Sequence, residues 1–422
     1  MIACVKILQA EKILDGSVDD EFLLGNGWLT FILKEVDKSG MIGQFQNFLQ
    51  DVIMPAQRIV IKLGTSTLTQ GKSELSMEHM IEIVRVIARL HQEGHQVILV
   101  SSGAMAVGRS IMGHPSLPKH IPAKQMLAAV GQSRLMELYS QLFGYYQIPV
   151  GQVLLTREDL SNRRRYLNAR NTLEAMIQYR VVPVINENDT VSTEEIRLGD
   201  NDNLSALVAN VVEADLLVLF TDQDGLYSAD PRTNPNAQVL PEITTNEIPA
   251  EIWKGAGGSA SGLGTGGMFT KIQAADLARR SGCMVVISNG KYPERIWEIV
   301  AGEAVGTRFT PLISKLESRK RYMLAESRHN GGWVQLDKGA VKALRKGGSL
   351  LPVGIVKSGG HYLRGDIVRL KDEKLKEFAL GMINYNDDDV QKIIGLQSQE
   401  IEQILGYHYG MEIVHHNNLM FL

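Results

Sequence analysis

From Arg58 onward the chain alternates short apolar runs with longer stretches whose apolar residues recur at helical spacing. RIVIKL from Arg58, QVILV from Gln96, IPVGQVLL from Ile148, VVPVI from Val181, DLLVLF from Asp215 and CMVVI from Cys283 are too short for helices and rich in Val, Ile and Leu. Near-continuous runs of this kind predict strands buried on both faces of a mainly parallel sheet. Between them MEHMIEIVRVIARLHQEG from Met77 and NTLEAMIQYR from Asn171 repeat apolar residues every three or four positions, and Gly94 stands where the first of these helices must stop. Alternation of the two patterns predicts an α/β domain whose helices cover the sheet.

The pattern changes at both ends. ESRKRYMLAESRHNGG is charged and glycine-ended, and after it short strands are separated by the turn sequences KGG, KSGG and LRGD. These features predict a main domain over 57–316, a linker over 317–331 and a small β-rich domain over 332–415. Residues 1–56 carry scattered apolar residues and turn pairs with no clear period. They read as an N-terminal extension of unknown status, with Met54 followed by Pro55-Ala56-Gln57 as a natural start. No solenoid-length repeat and no long low-complexity segment interrupts the chain.

Composition narrows the class. With 422 residues, 44% hydrophobic and 22% charged, the chain can bury one large core and has room for a second domain. The net charge of -3 and pI near 6.4 give no global attraction to nucleic acid or an anionic membrane. Cys4 and Cys283 offer neither a disulfide framework nor zinc-type spacing, which fits a reducing cytosol. Apolar runs such as LLVLF and VVPVI fall well short of the roughly 20 residues a membrane helix needs. The expectation is a cytoplasmic protein with no membrane contact.

Ligands of open α/β sheets sit beyond the carboxyl ends of the strands, and there the polar residues collect. QVILV runs into Ser101-Ser102-Gly103, VVPVI into Asn186-Glu187-Asn188-Asp189, and DLLVLF into Thr221-Asp222-Gln223-Asp224-Gly225. Each cluster alone reads equally as a turn. Lys62, inside the first strand, needs an anion or a route to solvent, and Gly64-Thr65-Ser66 after it supply backbone N–H groups suited to phosphate. GDNDNLSALVANVVEAD from Gly199 places two Asp and two Asn at a helix start, where Asp202 or Asn203 would cap. Further on, Gly262, Gly264 and Gly267 match GxGxxG, yet no strand precedes them and no ribose-binding acid follows. Lys271 arrives too late for a GxxxxGK[ST] cradle. No HExxH or Ser/His/Asp signature is present, which argues against zinc hydrolysis and triad catalysis.

In this order and spacing IKLGTS, VSSGA, PVINENDTV, GDNDNLSA, TDQDGLYSADPR and SGLGTGGMFTK resemble the amino acid kinase family, in particular its members acting on glutamate, and the tail is similar to a PUA domain. The resemblance covers about Arg58 to the C-terminus. It implies a three-layer α/β/α sandwich on a mainly parallel eight-stranded sheet, plus a small β-rich PUA-like barrel. It implies ATP and Mg²⁺, and transfer of the γ-phosphoryl group to the side-chain carboxylate of L-glutamate, giving glutamyl 5-phosphate, the first step of proline biosynthesis. By the same resemblance Lys62 and Lys271 are catalytic lysines meeting the phosphoryl group, with Asp189 holding a lysine or the substrate ammonium. Ser102, Asp189 and Asn201 bind glutamate. Lys62, Gly64, Thr221, Asp222 and Thr265, Gly266, Gly267, Met268, Phe269, Thr270 and Lys271 bind ATP, and Asp200 and Asp202 lie in the substrate loop. Phe269 stands where the family places a small residue, either stacking on adenine or packing outside. Feedback by proline at a site overlapping glutamate, a dimer or tetramer of identical chains, and hand-over to glutamyl phosphate reductase are further expectations of the resemblance. Other readings are a kinase acting on acetylglutamate, aspartate or carbamate, or an RNA-binding role for the PUA-like tail.

The chemistry of the residues agrees with this. A carboxylate is already ionised at neutral pH, so phosphoryl transfer to it requires cations that bring two anions together rather than a strong base.

Overall fold

The computed structural model describes residues 56–118, 120–192, 201–231, 233–256, 267–326 and 331–422. The N-terminal extension therefore lies outside the described residues. Eight strands form the larger sheet: β1 (Arg58–Leu63), β2 (Gln96–Ser101), β3 (Val150–Leu155), β4 (Val182–Glu187), β5 (Leu216–Thr221), β6 (Glu242–Ile243), β7 (Met284–Asn289) and β8 (Thr307–Phe309). Their order is β3-β4-β2-β1-β5-β7-β8-β6. Every pair is parallel except β7 with β8. Six of these strands coincide with the six apolar runs. β6 and β8, two and three residues long, are too short to leave a pattern.

Helices cover both faces. On one lie α1 (Met77–Gln92), α2 (Ala104–Ile111) and α3 (Ile121–Gly144); on the other lie α4 (Arg163–Gln178), α5 (Asp202–Val211), a short α6 (Ala250–Gly255) and α7 (Met268–Arg279). Gly94 follows α1 with φ 100, a conformation costly for any side chain, so the helix stops there as its sequence requires. Strand alternation assigns the faces. Ile59, Ile61 and Leu63 point into the core under α1 and α3, while Val60 points to the α5 side, and Lys62 shares its parity. Full burial of each such aliphatic chain contributes about 1.5–3 kcal/mol. Because β1, β2, β4, β5 and β7 run parallel, their polar C-terminal residues converge on one edge of the sheet.

The charged segment expected as a linker is largely a helix, α8 (Lys315–Glu326). Beyond it β9 (Trp333–Leu336), β10 (Ile355–Gly359), β11 (Ile367–Lys371), β12 (Glu377–Met382) and β13 (Leu419–Phe421) make a second sheet in the order β10-β9-β11-β12-β13, antiparallel except for β9 with β11. This sheet docks on α4 through a cluster of Leu167, Met323, Ile367, Leu380, Met382 and Met420. Arg163 of α4 donates through Nε to the Gly365 carbonyl at 2.6 Å and pairs with Asp366 at 3.3 Å. The LRGD turn of the sequence is thus part of the attachment. Gly365 has φ +94, and a Cβ there would stand 2.2 Å from Leu167 Cδ1.

Candidate active site

The parity of β1 brings Lys62 beneath the N-terminal turn of α5. Its Nζ lies 2.6 Å from Asp202 Oδ1, and Lys271 Nζ, from the first turn of α7, lies 3.1 Å from Asp202 Oδ2. Thr270 Oγ1 lies 2.9 Å from the same Oδ2 and 2.8 Å from the Gly267 carbonyl. Asp202 is fully buried, and Lys62 and Lys271 nearly so. An isolated buried ammonium or carboxylate costs several kcal/mol, so the three charges are mutually dependent. One carboxylate fixes two cations that would otherwise repel each other, and it does so where strand end and helix start leave backbone groups facing outward.

Capping by Asp202 or Asn203, expected from the sequence, does not occur. Asn201 occupies the N-cap without a side-chain cap bond, Asp202 is the first helical residue with its carboxylate turned to the lysines, and Asn203 donates to Gln273. The acid still sits at the positive end of the helix, where the dipole favours it. Asp202 is the residue that the sequence underweighted: its DNDN setting looks like ordinary capping, and only the convergence of β1 and α7 shows its use.

A second cluster lies beside the first. Asn201 Nδ2 donates to Ser102 Oγ at 2.9 Å and to Asn186 Oδ1 at 2.7 Å, and Asn186 Nδ2 donates to Gln132 Oε1 of α3 at 2.8 Å. Ser102 and Asn201, predicted together, are together. Asp189 lies on the loop after β4, tied by Gln125 Nε2 to its carbonyl oxygen at 3.0 Å. Burial pushes the Asp189 carboxyl up to about 6. Asp189 Oδ1, Asn201 Oδ1 and Gln132 Nε2 are buried and have no hydrogen-bond partner among the described residues. Leaving such groups unmet costs about 1–3 kcal/mol each, so three in one region mark a place built for a ligand. Two of them accept and one donates. Gln125 and Gln132 had no sequence signal, since glutamine is common on exposed helix surfaces.

The remaining predicted residues fall around this centre. A Cβ on Gly64 would sit 3.4 Å from Lys62 Nζ, so glycine keeps the approach to that ammonium open. Thr221 ends β5, the strand beside β1, and its hydroxyl donates to Asp222 Oδ1 at 3.0 Å. Asp222 is exposed. Gly267 and Met268 open α7. Phe269 packs edge-on against Trp253 of α6, with ring centroids 5.2 Å apart. That partner gives the bulky residue an apolar neighbour where the resemblance expects a small one. Thr265, Gly266 and Asp200 lie outside the described residues. Among the described residues no group of three or more His, Cys, Asp or Glu is arranged to hold a metal ion. No helix of the described residues is long and apolar enough to cross a membrane.

Comparison with known proteins agrees with this geometry. Residues 57–289 match the amino acid kinase family, and residues 332–405 match the PUA domain. Glutamate 5-kinase from Photobacterium profundum is 50% identical over 374 residues, covering 88% of this chain and 98% of that protein. Glutamate 5-kinase from Sodalis glossinidius is 50% identical over 366 residues, 86% of this chain and 99% of that protein. The enzyme of the same name from Shewanella halifaxensis is 50% identical over 367 residues, 87% of this chain and 98% of that protein. With two buried lysines gathered on Asp202 at the mouth of a parallel sheet, and with matches of this extent, the chain belongs to the amino acid kinase family and carries a PUA domain at its C-terminal end.

Proposed function

We propose that this chain transfers the γ-phosphoryl group of ATP to the side-chain carboxylate of L-glutamate, giving L-glutamyl 5-phosphate, the first step of proline biosynthesis. The observation that carries the reading is the pairing of Lys62 and Lys271 on Asp202 next to buried, unmet polar atoms of Asp189, Asn201 and Gln132. Two acceptors and one donor are the complement of an α-ammonium and an α-carboxylate. A substrate held by its α-groups in that cluster extends its side-chain carboxylate toward the lysines.

The residues then divide the work. Lys62 and Lys271 stabilise charge on the transferring group and on the oxygens it moves between, while Asp202 holds both in place before the substrates arrive, so that no reorganisation is needed at the moment of transfer. Gly64, Thr221, Asp222 and the run Gly267 to Lys271 border the nucleotide side. With a would-be Cβ 3.4 Å from Lys62 Nζ, the absence of a side chain at Gly64 leaves that ammonium approachable by a phosphate oxygen. Mg²⁺ carried on the nucleotide would supply further positive charge against the phosphates; a cation that keeps most of its ligands from phosphate and water needs few protein groups. Asp189, ionised above about pH 6, meets the substrate ammonium. Proline, smaller but bearing the same α-groups, would compete at the same cluster.

The test is ATP- and Mg²⁺-dependent acyl phosphate formation, trapped with hydroxylamine, across glutamate, aspartate and acetylglutamate, with and without proline. Glutamate alone should give rapid turnover that proline suppresses. Equal rates for all three acids would overturn the assignment.

A further inference from the structure

We infer that Gln125 and Gln132 are positioning residues for the amino-acid substrate, acting as a two-point brace from α3 on the loop after β4; the inference rests on the glutamate reading above. Seven residues apart, the two side chains lie on one face of α3, within about 20° of each other around the helix axis. That face meets the two ends of the segment from Asn186 to Ser192. At one end Gln125 Nε2 lies 3.0 Å from the Asp189 carbonyl oxygen, 3.4 Å from that of Thr190 and 3.4 Å from that of Ser192. At the other, Gln132 Oε1 accepts from Asn186 Nδ2 at 2.8 Å.

The two braces use opposite chemistry. Gln125 acts as a donor to carbonyl oxygens, which fixes the height of the Asp189 backbone. Gln132 acts as an acceptor, and its effect propagates. Because Gln132 accepts, Asn186 donates with Nδ2 and keeps Oδ1 as an acceptor for Asn201 Nδ2 at 2.7 Å and for the Glu187 amide at 2.9 Å. Asn201 Nδ2 is thereby committed to Asn186 and Ser102, and Asn201 Oδ1 is left as the atom with no partner among the described residues. The acceptor at position 132 acts together with the Glu187 amide and with the Ser101 carbonyl, which accepts from Asn201 Nδ2 at 3.3 Å, to leave the oxygen end of the Asn201 amide available to an ammonium. Removing it takes away the one side-chain support of that orientation on α3.

Four variants test this: Gln125→Met and Gln132→Met remove the polar atoms at similar length, Gln125→Lys restores a donor, and Gln132→Glu restores an acceptor. Steady-state KM for glutamate, KM for ATP and kcat are measured for each, with the unfolding midpoint as a check on the fold. Loss of one buried hydrogen bond should raise the glutamate KM about tenfold in each Met variant, with the ATP KM changed less than about twofold. Gln125→Lys should recover most of that loss. Gln132→Glu keeps the acceptor for Asn186 but gives up the Nε2 donor available to the substrate carboxylate, so it should recover the unfolding midpoint and not the glutamate KM. Met variants with an unchanged glutamate KM would overturn the inference. So would parallel losses in both KM values and kcat with a lowered unfolding midpoint, since that is the signature of a residue that merely packs. If the unmodified chain does not phosphorylate glutamate, the failure belongs to the glutamate reading, and the two cases are thus distinguishable.

Discussion

Asp202 holds more of the site together than either lysine. Replacing it with Asn leaves two ammonium groups facing each other without their carboxylate, which costs about 3–5 kcal/mol of stability and scatters the cations. Asp202→Asn should therefore lower both the unfolding free energy and turnover. Lys271→Met, by contrast, leaves the Lys62–Asp202 pair intact. It should keep near-normal folding while lowering turnover on the order of 100- to 1,000-fold, as loss of one preorganised charge does. Denaturant titration beside the hydroxylamine assay separates the two outcomes, and an equal stability loss in both would contradict this division. Asp189 gives a pH signature. Its carboxyl is held up to about 6 by burial, so as pH falls through that value it takes a proton and no longer pairs with an ammonium. The kcat/KM for glutamate should fall on the acid side with a midpoint near 6, and a variant Asp189→Asn should be slow and lack that limb. Lys62 and Lys271 were legible because a lysine inside an apolar strand, and another after a glycine loop, each need an explanation. Asp202 was half-hidden among residues that also cap helices.

At the level of elements, six strands and the helices over them were legible from periodicity alone, because a strand buried on both faces must be apolar throughout. β6 and β8 were not, since two or three residues carry no period. The kinase-side helix α4 has a second duty that its pattern does not announce: its outer face receives the C-terminal domain. Leu167 packs in the shared cluster, and Gly365 lies against it in a backbone conformation that disfavours side chains. Gly365→Ala should loosen this junction, costing about 1–3 kcal/mol through overpacking and strain. Calorimetry should show the transition shift downward or split. Because the clash is with one side chain, adding Leu167→Ala should return part of the loss, a coupling that independent sites would not show.

For the whole molecule, acid is expected to be destabilising. Burial lowers the pKa of His79, His91, His95 and His415 below the ordinary value of 6.5, with the Arg180 guanidinium adding to the effect at His91 and His95. His95 Nδ1 accepts from the Gln57 amide at 3.1 Å, which requires the unprotonated nitrogen at the start of β1. As pH falls below about 6.5 the unfolded chain binds protons that the folded chain resists, so stability is complete above that value and is lost below it. Asp189 works in the opposite direction between about 6 and 3.8, where the folded form holds the extra proton. Four groups against one set the sign. Urea unfolding at pH 8, 6.5 and 5.5 should give a lower free energy at 5.5, and a flat profile would contradict it. The parity of β1 has one more consequence, for how this chain tolerates insertions and deletions. Removing one residue ahead of Lys62 would let the neighbouring aliphatic residues trade faces at modest cost, yet it would send the ammonium toward α1 and away from Asp202. Removing two would restore the side. Single-residue frame changes in this strand would thus abolish phosphoryl transfer while the sheet persists, which makes activity a more sensitive gauge of strand pairing than any measure of folded content.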